Sequence, residues 1–469
     1  MRITLAHPLT ACEAAEYMGA ECTAYTDSMI YGVTTDSREV QKGDLFIAFR
    51  GESFDGNAYI GKAVKGGASA VLCEYCNEDL GAAVILADNT EKALGKLAKA
   101  YFSRYRKKVV AVTGSVGKTT TKEFISAVLS EKFSVHRADG NFNNEIGLPM
   151  TLLATPDEAD ICVFELGMDA RGDIEYLSDI VRPDIAVVTM IGSSHLERLG
   201  TRENICEAKM EIVSGMKKGA PIILNGDEPL LRQEKFKKYY PLFASVSGNG
   251  DFCAKNIITQ SDCTEFEISA NSDTHKMKIS AVGAHLVWGA LYAFAVGYTL
   301  GMQADEIRRG LLAFRGVKMR QAIYDVGDIT LIDDCYNAAP ESMRAAADVL
   351  SSIGKNRAAR TVALLGDMLE LGDTSRELHS GVGEYMAKSG ISLLFTLGEG
   401  AKEYAEGAKK GGLSENCIYS VVSKDDYEEC AEIILQKIRK GDILLVKASR
   451  SIGAERVIKY LSEHINKRT

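Results

Sequence analysis

Apolar runs alternate with segments of helical periodicity along most of the chain, and this alternation predicts its secondary structure. In the first part of the chain, short strands and turns accompany one helical stretch at residues 91–105. The apolar run at residues 109–112 follows Lys107 and Lys108 and leads into a glycine turn, which is typical of the first strand of a nucleotide-binding domain. The pattern therefore predicts a domain boundary near residue 106.

The rest of the chain predicts two further α/β domains. Strands are predicted at residues 109–113, 160–166, 185–190 and 221–224, antiparallel strands at 251–280, and a buried helix at 287–300. A third part begins near Gly316, with strands predicted at residues 330–332, 361–365, 393–397 and 443–446. Strand–helix alternation of this kind predicts mostly parallel, doubly wound sheets. We expect an α/β protein of three domains: a small N-terminal α/β domain at residues 1–106, a central P-loop doubly wound domain at 107–315 and a C-terminal Rossmann-like domain at 316–469.

Composition narrows the possible functions only a little. The net charge of -9 argues against non-specific nucleic-acid binding, although local cation clusters still allow anionic small substrates. No apolar run approaches the ~20 residues needed to cross a bilayer. Residues 1–9 lack the apolar core of a signal peptide. The 11 cysteines are scattered and odd in number, which argues against a disulfide framework. We therefore expect a cytoplasmic protein without a membrane span.

One pair of cysteines has the spacing of a possible metal or redox site. Cys73 and Cys76 form a lone CxxC pattern near a predicted strand end. Metal sites are normally completed by a second ligand pair, which this segment does not supply. The simpler interpretation is two ordinary thiols.

The segment TGSVGKTT at residues 113–120 is the strongest chemical signal. Val112 occupies the position of the first glycine in the full GxxxxGK[ST] pattern, so a shorter GxxGKTT remains. Glycines let backbone N–H groups approach phosphate oxygens, and the following helix presents its positive end to the anion. Lys118 is expected to reach the β- and γ-phosphates, and Thr119 to offer a hydroxyl to Mg²⁺. A chance glycine turn is the alternative, but the position between a strand and a helix favours a phosphate loop. The predicted nucleotide contacts are Gly114, Ser115, Val116, Gly117, Lys118, Thr119 and Thr120.

Three further residues are candidate site residues. Glu165 ends the strand predicted at 160–166, and ligands of an open parallel sheet lie beyond the carboxyl ends of its strands. It is therefore a candidate Mg²⁺ ligand, or else a solvated carboxylate at a strand end. His195 follows the strand predicted at 185–190, at the same edge, although a lone histidine is often structural. Lys209 lies in a helical stretch and by itself reads as an ordinary surface lysine.

Motifs throughout the chain resemble those of the Mur ligase superfamily. The loop at 113–120 is similar to the ATP loop of that family, and N-F-N-N-E-I-G-L-P at 141–149 resembles a segment of its branch that adds D-alanyl-D-alanine. Further matches are E-L-G-M at 165–168, H-L-E at 195–197, A-K-M-E-I at 208–212, D-D-C-Y-N-A-A-P-E-S-M at 333–343, G-D-M-L-E-L-G at 366–372 with His379, and K-A-S-R at 447–450. T-D-S-R at 35–38, G-D-L-F at 43–46 and F-D-G at 54–56 resemble the UDP-substrate domain of the branch. The resemblance covers all three predicted domains.

The resemblance implies roles for single residues. Lys209 resembles a lysine that is carbamylated in many Mur ligases, which would make it an anionic ligand of a second Mg²⁺ together with His195, while Thr119 and Glu165 would serve the first. Arg320 and Asp334 resemble residues of the C-terminal domain that contact ATP, and Asn144 resembles a residue near the adenine. The catalytic residues implied are Lys118, His195 and Lys209. The UDP-substrate contacts implied are Thr35, Asp36, Ser37, Arg38 and Phe46.

The chain departs from the family pattern at two places. The family motif G-x-H-N-x-x-N-A-L appears here as G-A-H-L-V-W-G-A-L at residues 283–291, with Leu286 and Gly289 in place of both asparagines. Those amides usually help to hold the nucleotide, so either another group replaces them or nucleotide affinity or activity is altered. The N-A-N-P motif reads N-A-A-P, with Ala339 where asparagine is expected.

The resemblance implies an ATP-dependent, ADP-forming amide ligase that uses ATP and Mg²⁺. Its substrates would be UDP-N-acetylmuramoyl-tripeptide and D-alanyl-D-alanine, in peptidoglycan precursor synthesis, and it would act as a monomer. Folylpolyglutamate synthases share the ATP loop but lack the N-terminal T-D-S-R and G-D-L-F segments. A catalytically weak paralogue that binds a nucleotide or UDP-sugar is the alternative, and the lost asparagines support it. The sequence leaves open whether the third residue of the tripeptide is lysine or diaminopimelate.

Overall fold

The computed structural model describes residues 1–23, 25–51, 54–76, 80–138 and 140–465. The chain divides into two compact units, of which the first contains Met1–Thr113, Lys132–Val187 and Met210–Ile222. The second contains Gly114–Glu131, Val188–Lys209 and Ile223–Thr469. Within the described ranges, no helix is long and apolar enough to cross a membrane.

The first part of the chain forms a six-stranded mixed sheet with helices. Its strands are β1 (Arg2–Thr10), β2 (Glu21–Cys22), β3 (Met29–Thr34), β4 (Asp44–Ile47), β5 (Ala70–Cys73) and β6 (Ala83–Leu86), and its helices are α1 (Ala11–Met18), α2 (Ile60–Lys65) and α3 (Thr90–Arg104). The strand order is β1-β3-β4-β5-β6-β2. The predicted helix at 91–105 is α3, and the Asn89 side chain caps it by accepting a hydrogen bond from the N–H of Lys92 at 2.7 Å.

The middle part of the chain contributes to both units. Its strands are β7 (Lys108–Thr113), β8 (Val135–Arg137), β9 (Ile161–Glu165), β10 (Ile185–Val188), β11 (Ile222–Asn225), β12 (Leu242–Ser245), β13 (Phe252–Thr259), β14 (Thr264–Ala270) and β15 (Asp273–Ile279). Its helices are α4 (Lys118–Leu129), α5 (Gly147–Leu153), α6 (Asp173–Val181), α7 (Leu196–Leu199), α8 (Arg202–Met210), α9 (Leu286–Thr299) and α10 (Ala304–Ala313). Every strand predicted here is present, and β13, β14 and β15 pair antiparallel as expected.

In the first unit, β7, β8 and β9 form parallel pairs in the order β7-β9-β8. The register sets Val112 beside Glu165, so the carboxylate of Glu165 stands at the carboxyl end of β9. In the second unit the order is β11-β12-β13-β14-β15. Both β7 and β9 are almost entirely apolar and buried, as expected for parallel strands covered on both faces.

The last part of the chain is a doubly wound α/β sheet. Its strands are β16 (Ala322–Val326), β17 (Ile329–Asp334), β18 (Thr361–Gly366), β19 (Leu393–Leu397), β20 (Ile418–Val421) and β21 (Ile443–Lys447), and its helices are α11 (Pro340–Arg357), α12 (Ser375–Lys388), α13 (Lys402–Lys410), α14 (Tyr427–Lys437) and α15 (Glu455–Ile465). The strand order is β16-β17-β21-β18-β19-β20, and only the β16 pairing is antiparallel. Buried apolar side chains pack in two clusters, one containing Leu364 and Val446 and the other Leu365 and Leu445. Neighbours in a strand point to opposite faces, so both faces of this sheet are covered.

Helices α12 and α13 approach each other so closely that glycines are required at their contact. A Cβ at Gly383 of α12 would overlap the carbonyl oxygen of Tyr404, and a Cβ at Gly407 of α13 would overlap the carbonyl oxygen of Ser380. Gly381, two residues from Gly383, has only a guanidinium nitrogen of Arg344 near the same position, at 3.9 Å.

These two glycines of α12 give a matched test of the helix contact. We expect Gly383→Ala to lower the free energy of unfolding by roughly 1–3 kcal/mol, because the added methyl group forces the backbones apart. Gly381→Ala should be neutral or stabilising by up to about 1 kcal/mol, because alanine favours the helix. Urea denaturation of both variants measures the difference, and equal stabilities would contradict the packing described.

Candidate active site

A turn built around two glycines joins β7 to α4. Gly114 has φ of 144° and Gly117 has φ of 86°, values that side-chain-bearing residues rarely adopt. A Cβ at Gly114 would also overlap the hydroxyl oxygen of Thr189. Helix α4 begins at Lys118, so the backbone N–H groups of its first turn have no partners within the helix. The turn therefore offers several N–H donors and the positive end of a helix to an anion.

Hydrogen bonds to Thr189 and Met190 fix the turn. The Thr189 hydroxyl donates to the Val116 carbonyl at 2.7 Å, and the Ser115 N–H donates to the Met190 carbonyl at 2.7 Å. Lys118 donates from its Nζ to the carbonyl of Gly114 at 2.9 Å. This contact folds the ammonium group over the turn, at the place where an anion would bind, and fixes the loop conformation before any ligand arrives.

The turn opens into a cleft of about 200 Å³ within the second unit. The predicted site residues that line it are Ser115, Val116, Gly117, Lys118, Thr119, Thr120, Arg320 and Asp334. The structure thus brings the phosphate loop together with two residues about 200 positions away in the sequence. The cleft also contains residues that the sequence analysis did not assign to the site, namely Asn225, His285, Trp288, Gln321, Asn337, Glu341 and Lys447.

A buried ion pair lies at the carboxyl ends of β17 and β21. Lys447 donates to the Asp334 carboxylate at 2.7 Å and to the Asn337 carbonyl at 3.0 Å. The ammonium side chain is 2% exposed, so its charge depends on these acceptors. Asp334 also accepts the backbone N–H of Gln321 at 3.2 Å. Lys447 belongs to the K-A-S-R motif, which was the sequence signal that could have placed it in the site.

His285 lies in the same cleft. Burial lowers the pKa of its imidazole, while the charge of Asp334 acts in the opposite direction. Glu341 accepts a hydrogen bond from the Ser193 hydroxyl at 3.1 Å through one carboxylate oxygen, and its other oxygen is buried without a hydrogen-bond partner. The cleft therefore combines the predicted phosphate loop with cationic and anionic side chains, a combination that suits the binding of an anionic ligand.

Comparison with known proteins confirms the resemblance. Three family models match: "Mur ligase family, catalytic domain" at residues 29–102, "Mur ligase middle domain" at 112–297, and "Mur ligase, glutamate ligase domain" at 319–450. The UDP-N-acetylmuramoyl-tripeptide–D-alanyl-D-alanine ligase of Bacillus subtilis is 38% identical over 94% of each chain. That of Escherichia coli is 32% identical over 97% of this chain and 98% of its own. The chain belongs to the Mur ligase family.

Solved structures of the same family agree with the fold. MurF from Acinetobacter baumannii superposes with a TM-score of 0.89 at 28% identity, covering 98% of this chain and 100% of that one. MurF from Thermotoga maritima in complex with ADP gives a TM-score of 0.82 at 32% identity, covering 93% of this chain and 98% of that one. The predicted α/β fold with three Mur ligase domains is therefore confirmed, while the boundaries at residues 106 and 315 stay predictions.

The Mur ligase residues predicted to bind metal lie in different settings. His195 adopts a left-handed conformation with φ of 65° before α7, and its Nδ1 lies 2.8 Å from the Glu370 carboxylate. The imidazole beside it lowers the pKa of the Glu370 carboxyl. Lys209 lies in α8 and is fully buried, unlike an ordinary surface lysine. In the described part of the chain, no three His, Cys, Asp or Glu side chains cluster as a metal site. Two of the predicted metal ligands, a carbamylated Lys209 and the Thr119 hydroxyl, do not belong to these four residue types, so this observation does not concern them.

Glu165 has a setting that suits a ligand in the first unit. Its side chain is buried, and one carboxylate oxygen accepts a hydrogen bond from the Asn143 amide at 2.8 Å. Asn143 belongs to the N-F-N-N segment and Glu165 to the E-L-G-M segment, so this hydrogen bond joins the two motifs. A Cβ at Gly167 would lie 2.9 Å from the Asn143 side-chain oxygen, which explains the glycine. A carboxylate fixed in this way is a suitable oxygen donor for a hard cation.

Of the residues predicted to bind the UDP-substrate, Thr35 lines a cleft, whereas Asp36 and Arg38 bind each other. Thr35 lines a cleft of the first unit that also contains Asn141 and Asn144. The structure thus places Asn144 in this cleft, where its side chain accepts the N–H of Gly147, and its predicted nucleotide contact stays a prediction. Arg38 forms hydrogen bonds with the Asp36 carboxylate and holds the pKa of that group well below its ordinary range.

Phe46 and Ser37 are the remaining two residues of this predicted set. Phe46 is 2% exposed and packs in the apolar core of the first sheet, with Ala48 and Val71. Ser37 is part of the same turn as Asp36 and Arg38, between β3 and β4. Their predicted roles in substrate binding stay predictions, and burial gives Phe46 a packing role.

The second departure from the family motif has a local explanation. Ala339 precedes α11 and has no side chain that caps the helix. Instead, Ser342 accepts the N–H of Ala339 at 3.1 Å and donates to its carbonyl at 2.9 Å.

The motif histidine His379 is structural: its Nε2 accepts the N–H of Met368 at 3.0 Å, and its Nδ1 donates to the Ser375 carbonyl at 2.7 Å. Burial lowers the pKa of His379, consistent with this neutral form.

The Lys447–Asp334 pair is testable by stability. We expect Lys447→Met to lower the free energy of unfolding by roughly 3 kcal/mol, because the mostly buried Asp334 carboxylate loses its cation. The double variant Lys447→Met/Asp334→Asn should cost less than Lys447→Met alone, since it removes the unpaired charge. Urea denaturation measures both. A double variant whose loss of stability equals the summed losses of Lys447→Met and a separately measured Asp334→Asn would mean that the two groups do not interact.

Proposed function

We propose that this Mur ligase joins D-alanyl-D-alanine to the C-terminal carboxylate of UDP-N-acetylmuramoyl-tripeptide, with ATP converted to ADP and phosphate. Relatives with this name share 38% and 32% identity over nearly the whole chain. The strongest support from the structure is the single cleft that joins the phosphate loop to Arg320, Asp334 and Lys447. Such a cleft suits a reaction in which a triphosphate and a carboxylate must meet.

Binding of ATP uses the turn at residues 114–120. The N–H groups of the first turn of α4 donate hydrogen bonds to the phosphate oxygens, and the ammonium of Lys118 exchanges the Gly114 carbonyl for the β- and γ-phosphates. The ammonium therefore donates hydrogen bonds both without the nucleotide, to the Gly114 carbonyl, and with it, to the phosphates. Once it is bound to the phosphates, the ammonium of Lys118 stabilises the charge that develops on the transferred group.

Magnesium would reduce the charge of the triphosphate and polarise the transferred phosphoryl group. The donors available in the second unit are the Thr119 hydroxyl and the His195 imidazole. The His195 imidazole is a nitrogen donor of the kind that binds divalent metals, and its Nδ1 lies 2.8 Å from the Glu370 carboxylate, a contact that orients the ring. A carbamylated Lys209 is proposed to share one ion with His195, and Thr119 is a proposed ligand of another. Glu165 stays a predicted carboxylate ligand in the first unit, and hydroxyl, carboxylate and carbamate oxygens suit a hard cation.

The chemistry proceeds in two steps. A carboxylate oxygen of the tripeptide attacks the γ-phosphorus, the bond to the β-phosphate oxygen breaks, and ADP leaves an acyl phosphate. The amine of D-alanyl-D-alanine then attacks the acyl carbon, loses a proton and expels phosphate, which leaves an amide. Arg320 and Lys447 line the cleft and supply positive charge while Asp334 keeps Lys447 in place. Positioning and charge stabilisation thus carry most of the catalysis.

We also propose that the enzyme acts in the cytoplasm as a monomer. All 11 cysteines of the chain are free thiols, which suits a reducing compartment.

Cys73, in the CxxC pattern, is buried, and burial raises the pKa of its thiol to about 12. A thiol of this kind is a poor metal ligand or nucleophile, which supports the simpler interpretation of the CxxC pattern.

Phosphate release tests the function directly. Wild-type protein with ATP, Mg²⁺ and the UDP-tripeptide should release phosphate only when D-alanyl-D-alanine is added. Lys118→Ala should lower the rate at least about 100-fold, as when one preorganised donor to a developing charge is lost. Lys132→Ala, at an exposed lysine just after α4, is the matched control and should keep the wild-type rate.

The same assay separates the ligase from its alternative. A catalytically weak paralogue would bind ATP without releasing phosphate with any amine, and Leu286 and Gly289 are the residues that favour this possibility. Running the assay with lysine- and diaminopimelate-containing tripeptides also identifies the third residue. A Lys118→Ala variant with the wild-type rate would contradict the phosphate-loop assignment.

Carbamylation of Lys209 is a separate prediction. Lys209→Ala should be largely inactive, and short carboxylates added to the buffer should partly restore its rate by supplying the missing anion. Lys209→Arg should stay inactive with the same additives, because a guanidinium does not form the carbamate and keeps its positive charge. Rate measurements on both variants give the comparison. Wild-type activity and metal affinity that persist in bicarbonate-free buffer would count against carbamylation.

A further inference from the structure

The segment at residues 283–291 lines the cleft without the two amides that the family motif supplies. Leu286 and Gly289 stand in the asparagine positions, and both line the cleft with the phosphate loop. An amide would recognise a base by hydrogen bonds to its edge. Neither a leucine side chain nor a glycine can donate or accept such a bond.

Packing excludes an amide at position 289. A Cβ at Gly289 would lie 2.7 Å from a ring carbon of Phe124, a residue of α4 that is fully buried. The Phe124 ring stacks on Phe314 with centroids 3.7 Å apart. The stacked rings of Phe124 and Phe314 therefore occupy the space that an asparagine side chain at position 289 would need. The close packing of α4 against α9 thus requires a residue without an amide.

An aromatic side chain stands between the two altered positions. Trp288, at a position that the motif leaves unspecified, is half-buried and lines the cleft. Its ring lies 5.8 Å from that of Tyr292, with an angle of 29° between the planes. Tyr292 is fully buried and donates its hydroxyl to the Thr189 carbonyl at 2.7 Å.

This pair is connected to the phosphate loop. The residue that accepts the Tyr292 hydroxyl, Thr189, donates its own hydroxyl to the Val116 carbonyl at 2.7 Å. The indole is thus supported by Tyr292, and Tyr292 is fixed to the residue that supports the loop. An aromatic ring held in this way loses little conformational freedom when a planar ligand stacks on it.

We propose that Trp288 is the platform on which the base of the bound nucleotide stacks, in place of the hydrogen bonds of the missing amides. This inference rests on the proposed use of ATP. Since every base presents a π-face, stacking is tolerant of base identity. The protein therefore binds ATP and GTP with similar affinity, and the phosphate loop supplies the rest of the binding energy.

The sequence contains one tryptophan, so its fluorescence reports on this position alone. Titration of the wild-type protein with ATP or GTP in the presence of Mg²⁺ should quench the indole emission. The two dissociation constants should agree within about tenfold, since stacking alone separates them. Inorganic tripolyphosphate should bind, as measured by calorimetry, without comparable quenching.

Two variants distinguish stacking from a structural role. Trp288→Leu should weaken ATP binding about 10- to 100-fold, the range expected for the loss of one base–aromatic stack. Its tripolyphosphate affinity should stay unchanged, which also shows that the loop is folded. Trp288→Phe keeps an aromatic face and should retain most of the ATP affinity. Calorimetry with each ligand measures all of these values.

Several results would overturn the proposal. Trp288→Leu with wild-type ATP affinity would mean that the base lies elsewhere, and equal losses for ATP and tripolyphosphate would mean that Trp288 only supports the fold. A GTP affinity more than about 100-fold below that of ATP would show that hydrogen bonds read the base edge. These binding results stand whether or not the protein releases phosphate. Failure of ligation alone therefore leaves the stacking proposal intact, whereas a wild-type protein that binds no ATP would end both.

Discussion

The close approach of Thr189 to the backbone of Gly114 is the constraint on which the rest of the site depends. With no side chain at Gly114, the Thr189 hydroxyl reaches the Val116 carbonyl and fixes the conformation of the turn. Tyr292 holds Thr189 from α9. Two helices distant in sequence, α4 and α9, are thereby fixed around the same phosphate-binding turn, and the cleft opens between their first turns.

Charge in the cleft is arranged before a ligand binds. Lys118 lies against the Gly114 carbonyl, and Lys447 against Asp334 and the Asn337 carbonyl, so each cation already has acceptors that replace water. A net charge of -9 does not prevent the protein from holding a triphosphate, because cationic side chains such as Lys118 and Arg320 line the cleft. Groups ordered in advance need little rearrangement when negative charge accumulates during phosphoryl transfer.

Gly289, Phe124 and Phe314 show how a change in packing alters recognition. The glycine allows α9 to approach the Phe124 ring, and the ring removes the space for an amide. The neighbouring Trp288 and Tyr292 pair gives the cleft an aromatic wall instead. At the altered positions the family amides are thus replaced by apolar and aromatic contacts within the chain.

The sequence by itself determined the family, the glycine turn after residue 112 and many of the strands and helices, because periodicity, glycine positions and motif spacing are local properties of the chain. The strands at 361–365 and 393–397 and the helix before residue 106 follow from such patterns. The tertiary structure alone decided which side chains are buried and which are brought together. Lys209 is fully buried although its helix reads as a surface segment, Phe46 lies in the core, and Lys447 meets Asp334 across 113 residues. Burial and long-range pairing depend on how sheets and helices pack, and no local window of sequence contains that information.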